Sequence, residues 1–292
     1  MAYSLRSPGM ALPVEKLGTK YDELKAAIDP DRAKAYAAAT NDDNPAYESG
    51  KYAPPVFGVV PTWDAMLAAA ADIIPPDAMP MIVHGEQDMH YHQPLVPAMT
   101  LKTRATAYAI RVGRSGTRFT SRVLSTDDSG QPVLEQFNTA FIRGLSDGES
   151  GGDDKPDHAF DESLRDKKVA EFAIHVDDDQ TYRYRDASGD QMPIHVDDDF
   201  AKSVGLPGII VHGLCTMAIT SQAVIKSVAG GDPGRLKRLA VRFSKPVFPG
   251  NDVVTTIYDA GTRDGRHVYA FEAMSNGDVV IKDGLAEVAE GS

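Results

Sequence analysis

Asp190 and His195 stand five positions apart in the run Ser188-Gly189-Asp190-Gln191-Met192-Pro193-Ile194-His195. A carboxylate and an imidazole together can hold a water molecule and pass a proton to or from it near neutral pH. Pro193 between them favours a short, fixed loop that can bring both groups to one side. Alone, an aspartate after Ser-Gly is most often a turn former that bonds a backbone N–H. Its company moves Asp190 beyond that reading: His195 follows in register, and His212-Gly213 stand downstream at the start of an apolar segment.

The elements that must position this pair emerge from an internal repeat. Tyr36-Ala-Ala-Ala-Thr-Asn-Asp42-Asp-Asn44-Pro45-Ala-Tyr47 matches Tyr184 to His195, with Tyr, Asp and Pro recurring at an offset of 148. Pro94-Leu95-Val96-Pro97 matches Pro246-Val247-Phe248-Pro249, and Pro55 matches Pro207, both at an offset of 152. Each unit reads as a helical segment, a loop with Asp and Pro, an apolar helix (57–74 and 213–228), then strands. The strands are expected at 101–112, 118–125 and 135–143, and again at 236–243, 253–260, 267–274 and 279–288. Residues 145–166 are rich in Gly, Asp, Glu, Ser and Lys, cannot order themselves alone, and read as a linker. The expected division is a degenerate repeat over 1–144, the linker, and a catalytic repeat over 167–292. Two long antiparallel sheets, each wrapped on a buried helix and joined edge to edge, make an α+β fold.

Bulk properties narrow the function. A net charge of −12 and a pI near 5.1 disfavour nucleic acid or an anionic membrane as the main partner, since both need a dominant positive surface. Residues 1–6 lack the apolar core of a signal peptide, no apolar run approaches the roughly 20 residues of a membrane span, and the C-terminal residues carry no peroxisomal address. A cytoplasmic location without membrane insertion is the expectation. The single cysteine, Cys215, lies among apolar neighbours and reads as a small buried residue.

The run from Ser188 to His195, followed by Ile210-Val211-His212-Gly213-Leu214-Cys215-Thr216, resembles the hydratase-2 motif of MaoC-like (R)-specific enoyl-CoA hydratases of the double-hotdog type. Arg242-Phe243-Ser244-Lys245-Pro246-Val247-Phe248-Pro249-Gly250 is similar to the family's next strand and turn. The resemblance implies a double hotdog acting on an acyl-CoA, with Asp190 and His195 as the hydratase dyad and the Gly213 N–H holding the thioester oxygen. It implies no metal or redox cofactor. One departure stands out: many members carry Asn where this chain has Met192, a residue thought to help position the water or the dyad. In the first half Asn44 and Asp42 are present, but Tyr47 replaces the imidazole, so that half is expected to bind the acyl chain without catalysing.

Other candidates carry weaker expectations. Ile-His-Val-Asp-Asp-Asp occurs at 174–179 and at 194–199; the first copy is read as helix-capping aspartates with His175 at a strand end. His84, His90 and His92 have a spacing that suits zinc but read as a polar strand face. His212 is read as structural, orienting the loop before Gly213 or bonding to backbone, and with Met192 it is placed near the substrate. Arg235, Lys237, Arg238, Arg242 and Lys245 form a basic run, read as a solvated face or, at Arg242 and Lys245, as contacts to coenzyme A phosphates. A homodimer is expected because hotdog sheets commonly pair through an edge. Dehydration of acyl chains on a carrier protein, or a non-catalytic acyl-CoA-binding subunit, are the alternative functions.

Overall fold

A helix with a single charged residue, Lys226, in sixteen positions must be walled in on most sides, and the fold supplies those walls from one continuous sheet. The computed structural model describes residues 10–291; the expectations for residues 1–6 and for the last residue fall outside them. The first repeat comprises β1 (Leu24–Ala27), α1 (Pro30–Ala39), the single turn α2 (Pro45–Glu48), α3 (Trp63–Ile73), β2 (Ile82–Tyr91), β3 (Thr100–Gly113), β4 (Gly116–Thr126) and β5 (Pro132–Arg143). The connection contributes β6 (Gly151–Gly152). The second repeat comprises β7 (Lys168–His175), α4 (Gln180–Ser188), α5 (Asp198–Ser203), α6 (Gly213–Val228), β8 (Leu236–Phe243), β9 (Asp252–Arg263), β10 (Arg266–Ser275) and β11 (Asp278–Ala289).

The strands lie in the order β1-β3-β4-β5-β2-β8-β11-β10-β9-β7, with β6 on β3, so the two half-sheets join at β2 and β8. That junction is antiparallel, and its register places Asp88 opposite Ala240. These residues are 152 positions apart, so the pairing crosses itself at equivalent residues, as a twofold relation between repeats requires. Tyr36 and Tyr184, equivalent at the other offset, touch through their buried hydroxyls at 3.0 Å. The fold is the α+β double hotdog that the repeat implies.

Three expectations change. The first apolar helix is broken: residues Pro55–Thr62 wind as a 3₁₀ helix with Pro61 inside it, and only then does α3 begin. Contrary to the sequence reading, the helical stretch Pro55–Ile73 is long and apolar enough to pass as a membrane span, 19 residues at mean hydropathy 1.3. In the fold it is the half-buried central helix of the first repeat. The connecting segment, which cannot order itself alone, is ordered by the sheet. Gly151 and Gly152 pair with β3, Lys155 Nζ meets Glu86 at 2.6 Å, and buried His158 bonds the Asp283 carbonyl at 2.6 Å.

The third concerns the basic run, whose arginines are neither a solvated face nor free for phosphates. Arg238 is buried and grips Asp88 through two bonds of 3.0 and 2.8 Å. Burial alone would raise the Asp88 carboxyl, but His90 and Arg238 outweigh it and hold it down at about 2. Arg242 pairs with Glu86 at 3.0 Å and Asp283 at 3.1 Å, while Arg235 bonds the Ala289 carbonyl. Glu86 and Asp88 sit on β2, so Arg238 and Arg242 bind acids of the neighbouring half-sheet across the junction. Of the pair read as phosphate contacts, only Lys245 stands exposed.

Candidate functional site

The site is built where α4 ends. Gly189 closes that helix in the left-handed conformation (φ 83°), which turns the chain into Asp190. The Asp190 N–H donates to Ser188 Oγ at 3.1 Å, and Asp190 Oδ1 accepts the Met192 N–H at 3.1 Å. Pro193 then starts a 3₁₀ turn, Pro193–His195, that delivers the imidazole. His195 is buried, and its Nδ1 lies 2.8 Å from the Ile210 carbonyl. A carbonyl only accepts, so Nδ1 carries the hydrogen and Nε2 keeps its lone pair. Burial is the main force lowering the His195 pKa, opposed by the Ile210 bond and the Asp190 charge, so the ring is neutral at neutral pH.

His212, the N-cap of α6, stacks on His195 with ring centroids 3.8 Å apart and places Nε2 3.3 Å from the Asp190 backbone carbonyl. Burial, then the neighbouring His195, pushes its pKa down to about 3. It is a neutral wedge between Tyr184 and His195, its Nδ1 buried without a partner. Asp190, His195 and His212 offer ligand-type atoms all within 4.8 Å of one another, a spacing that a metal ion could use; one nitrogen of each ring is committed to a backbone carbonyl. Gly213 opens α6, where the first N–H groups have no partner within the helix. A Cβ at Gly213 would sit 3.3 Å from the Phe243 ring, so glycine fits a close approach there.

Of the residues singled out in the sequence, Asp190, His195, His212 and Gly213 converge. Met192 lies at the rim with its side chain half exposed, and only its backbone serves the dyad loop. Asn44, its first-half counterpart, caps α2 through Ala46 N–H and donates to the Gly231 carbonyl of the second half at 2.9 Å, bonds that a methionine side chain cannot make. Arg242 is held away by its ion pairs. The aspartates at 177–179 do not cap α4 with their side chains: Asp179 occupies the cap position, yet it and Asp177 bind Arg183 instead. Asp197 of the second copy does cap α5, through the Phe200 N–H. The strand histidines are dispersed: His84 bonds Gln87 and Asn138, His90 meets Asp88 at 3.1 Å, and exposed His92 faces Glu135. His175 does end a strand, beside Asp252. Sequence reasoning missed Ile210, which fixes the His195 tautomer, and Phe243, which roofs Gly213; a backbone carbonyl and a strand phenylalanine carry no sequence signal of such roles.

In the first half, Asp42 is pushed up to about 6 by burial, and Tyr47 is buried with an unpartnered hydroxyl. A cleft of about 480 Å³ opens there, lined by Asn41, Asp43 and Glu48 together with Ala37, Ala38 and Tyr47. At the 152-residue offset Pro61 stands in the place of Gly213, and proline has no N–H to give.

Two stacked neutral imidazoles beside one carboxylate, next to a glycine-led helix start, lie in one half of a double-hotdog fold. Comparison with known proteins agrees: residues 41–144 match the MFE-2 hydratase 2 N-terminal domain, and residues 160–278 match the MaoC like domain. The 3-hydroxyacyl-thioester dehydratase Y of Mycobacterium tuberculosis is 34% identical over 218 residues, 72% of this chain and 73% of that protein. The probable enoyl-CoA hydratase 2 of Dictyostelium discoideum is 29% identical over 211 residues, 70% of this chain and 69% of that protein. A MaoC-like dehydratase from Phytophthora capsici superposes with a TM-score of 0.85 at 27% identity, covering 95% of this chain and 98% of that one. Among larger multifunctional relatives, the chain spans between 26% and 36% of their length. The chain belongs to the MaoC-like hydratase and dehydratase family.

Proposed function

We propose that the protein is an (R)-specific 2-enoyl-CoA hydratase, adding water reversibly to a trans-2-enoyl thioester, with Asp190, His195 and Gly213 as its catalytic groups. The observation that carries this reading is the bond from His195 Nδ1 to the Ile210 carbonyl, which leaves Nε2 as a base beside the Asp190 carboxylate. Nε2 takes one proton from water as the water oxygen bonds to the β-carbon, and the same proton passes to the α-carbon. Asp190, with Oδ1 fixed by Met192 N–H, holds the second water hydrogen on Oδ2. The Gly213 N–H, at the positive end of α6, takes the charge that develops on the thioester oxygen. In reverse the same groups dehydrate a 3-hydroxyacyl thioester, and neither direction requires a metal or redox cofactor.

The acyl chain runs into the first half, whose central helix is broken at Pro61 and buries only Ala65, Met66, Ala69 and Ile73 over the α3 segment, against twelve buried residues in α6. Lys245 takes a coenzyme A phosphate, and Met192 and His212 border the reacting end. The protein acts in the cytoplasm as a homodimer; the free edge of β7, with Val169 exposed, supports the dimer. The test is turnover of trans-2-enoyl-CoA by the chelator-treated protein, with Asp190→Asn and His195→Gln alongside. We expect full activity after chelation and losses of about 10²- to 10⁴-fold in kcat for each folded variant. Retained activity in either variant, or activity that returns only with added metal, contradicts the reading.

A further inference from the structure

The carboxyl end of α4 carries the turn that presents Asp190, and the group that holds it comes from the other half of the chain. Arg32, on α1, donates from Nε to the Ala187 carbonyl at 2.8 Å and from Nη2 to the Ser188 carbonyl at 2.6 Å. A Cβ on Gly189, the next residue, would lie 2.7 Å from Arg32 Nη2, so the guanidinium lies against the turn itself. The repeat shows what is special here. Gln180, 148 positions after Arg32, donates to the carbonyl of Ala39, 148 positions before Ala187, at 2.6 Å. The same bond is thus made twice across the pseudo-twofold. It is neutral where it supports the degenerate loop and charged, with a second bond to Ser188, where it supports the dyad.

We propose that Arg32 is a positioning residue for catalysis, fixing the Ser188-Gly189-Asp190 turn from the first repeat. The proposal rests on the dyad assignment and explains how the site works with Met192 where the family carries asparagine. In the first half the loop is tied to the opposite repeat by Asn44, through the Gly231 carbonyl. Met192 gives the catalytic loop no such tie, and the two bonds of Arg32 replace it. A guanidinium suits the place because its planar fork reaches two successive carbonyls and its charge complements the negative end of α4. The first repeat, which has Tyr47 where the second has His195, therefore still serves proton transfer by holding the turn that carries the carboxylate of the second.

The experiment compares Arg32→Gln, Arg32→Lys and, as a neighbour on the same helix, Lys34→Ala. Arg32→Gln reproduces the neutral arrangement of the other half and keeps a bond to Ala187 while losing the one to Ser188. We expect it to remain folded, with kcat reduced on the order of 10- to 100-fold and KM within about threefold, since a shift of about 1 Å in a reacting group costs rates of this size. Arg32→Lys should recover part of the loss, and Lys34→Ala should behave as wild type. Amide hydrogen exchange supplies a readout independent of turnover: residues 188–192 should exchange faster in Arg32→Gln while β8 and α6 keep their protection. Unchanged kcat with unchanged exchange over 188–192 overturns the proposal, as does a general loss of protection with no local effect. If wild type is inert toward enoyl-CoA but the local exchange change appears, the positioning role stands and the hydratase reading fails.

Discussion

At the scale of residues, the site depends on protons being in fixed places. Ile210 forces the hydrogen of His195 onto Nδ1, and burial keeps the ring neutral, so Nε2 has a free lone pair at neutral pH, as the proposed base requires. The Gly213 N–H can be removed without removing the helix, because proline is tolerated at the first helical position and His212 already has the extended backbone (φ −56°, ψ 135°) that proline demands of its predecessor. The first half carries such a proline at Pro61. Gly213→Pro should therefore lower kcat by roughly 10²- to 10³-fold, and Gly213→Ala, whose Cβ meets the same Phe243 ring at 3.3 Å but which keeps the N–H, should lose far less. Kinetics on the two purified variants check this, and full activity in Gly213→Pro would remove the N–H from the mechanism. Asp190, His195 and Gly213 were legible in the sequence because they fall in short consecutive motifs. Arg32 and Phe243 were not: folding brings them in from distant segments, and their types alone fit a surface cation and a core aromatic.

At the scale of elements, hydropathy was legible where it was extreme. The α6 segment read correctly because its apolar character is unbroken, whereas the first central helix was overextended because Pro61 sits in an equally apolar run. Strand β1 was missed, and β7 and β2 were read only at single positions, His175 at a strand end and His84, His90 and His92 on a strand face; β1 and β7 are edge strands, with exposed residues that blur the alternation. The basic run of β8 was misread because its acidic partners lie on β2, some 150 positions earlier. Its role is to join the half-sheets. Breaking the buried Arg238–Asp88 pair from one side, as in Arg238→Met, should cost about 3 kcal/mol by leaving a buried carboxylate with only His90 beside it. Replacing both, Arg238→Met with Asp88→Leu, should recover most of that loss. Urea unfolding midpoints decide it, and a double variant no more stable than the single one contradicts the assignment.

At the scale of the molecule, the repeat was the most legible feature, since offsets in sequence became a pseudo-twofold in space at Asp88 and Ala240 and at Tyr36 and Tyr184. What the offsets did not show is the functional asymmetry, with charge, imidazole and helix-end N–H all gathered in one half. That asymmetry is bought with buried imidazoles. His84 and His212 are pushed down by burial to about 4 and about 3, and His195 is lowered too, from an ordinary value of 6.5. The unfolded chain binds these protons first as pH falls, so stability drops below pH 6.5; Asp42, raised to about 6, and solvent-screened His175, raised beside Asp252, oppose this as two groups against three. The expected loss between pH 7 and pH 5 is on the order of 3 kcal/mol in urea unfolding, and a curve flat or rising toward acid contradicts this balance.

The central claim, hydration directed to one face by a single dyad, is tested most directly by the handedness of the product. Trans-2-enoyl-CoA incubated with the wild-type protein should yield 3-hydroxyacyl-CoA that is almost wholly the (R) form on chiral separation, with none above background from His195→Gln. A racemic or (S) product, or (R) product that persists in His195→Gln, would contradict the assignment of the reaction to this site.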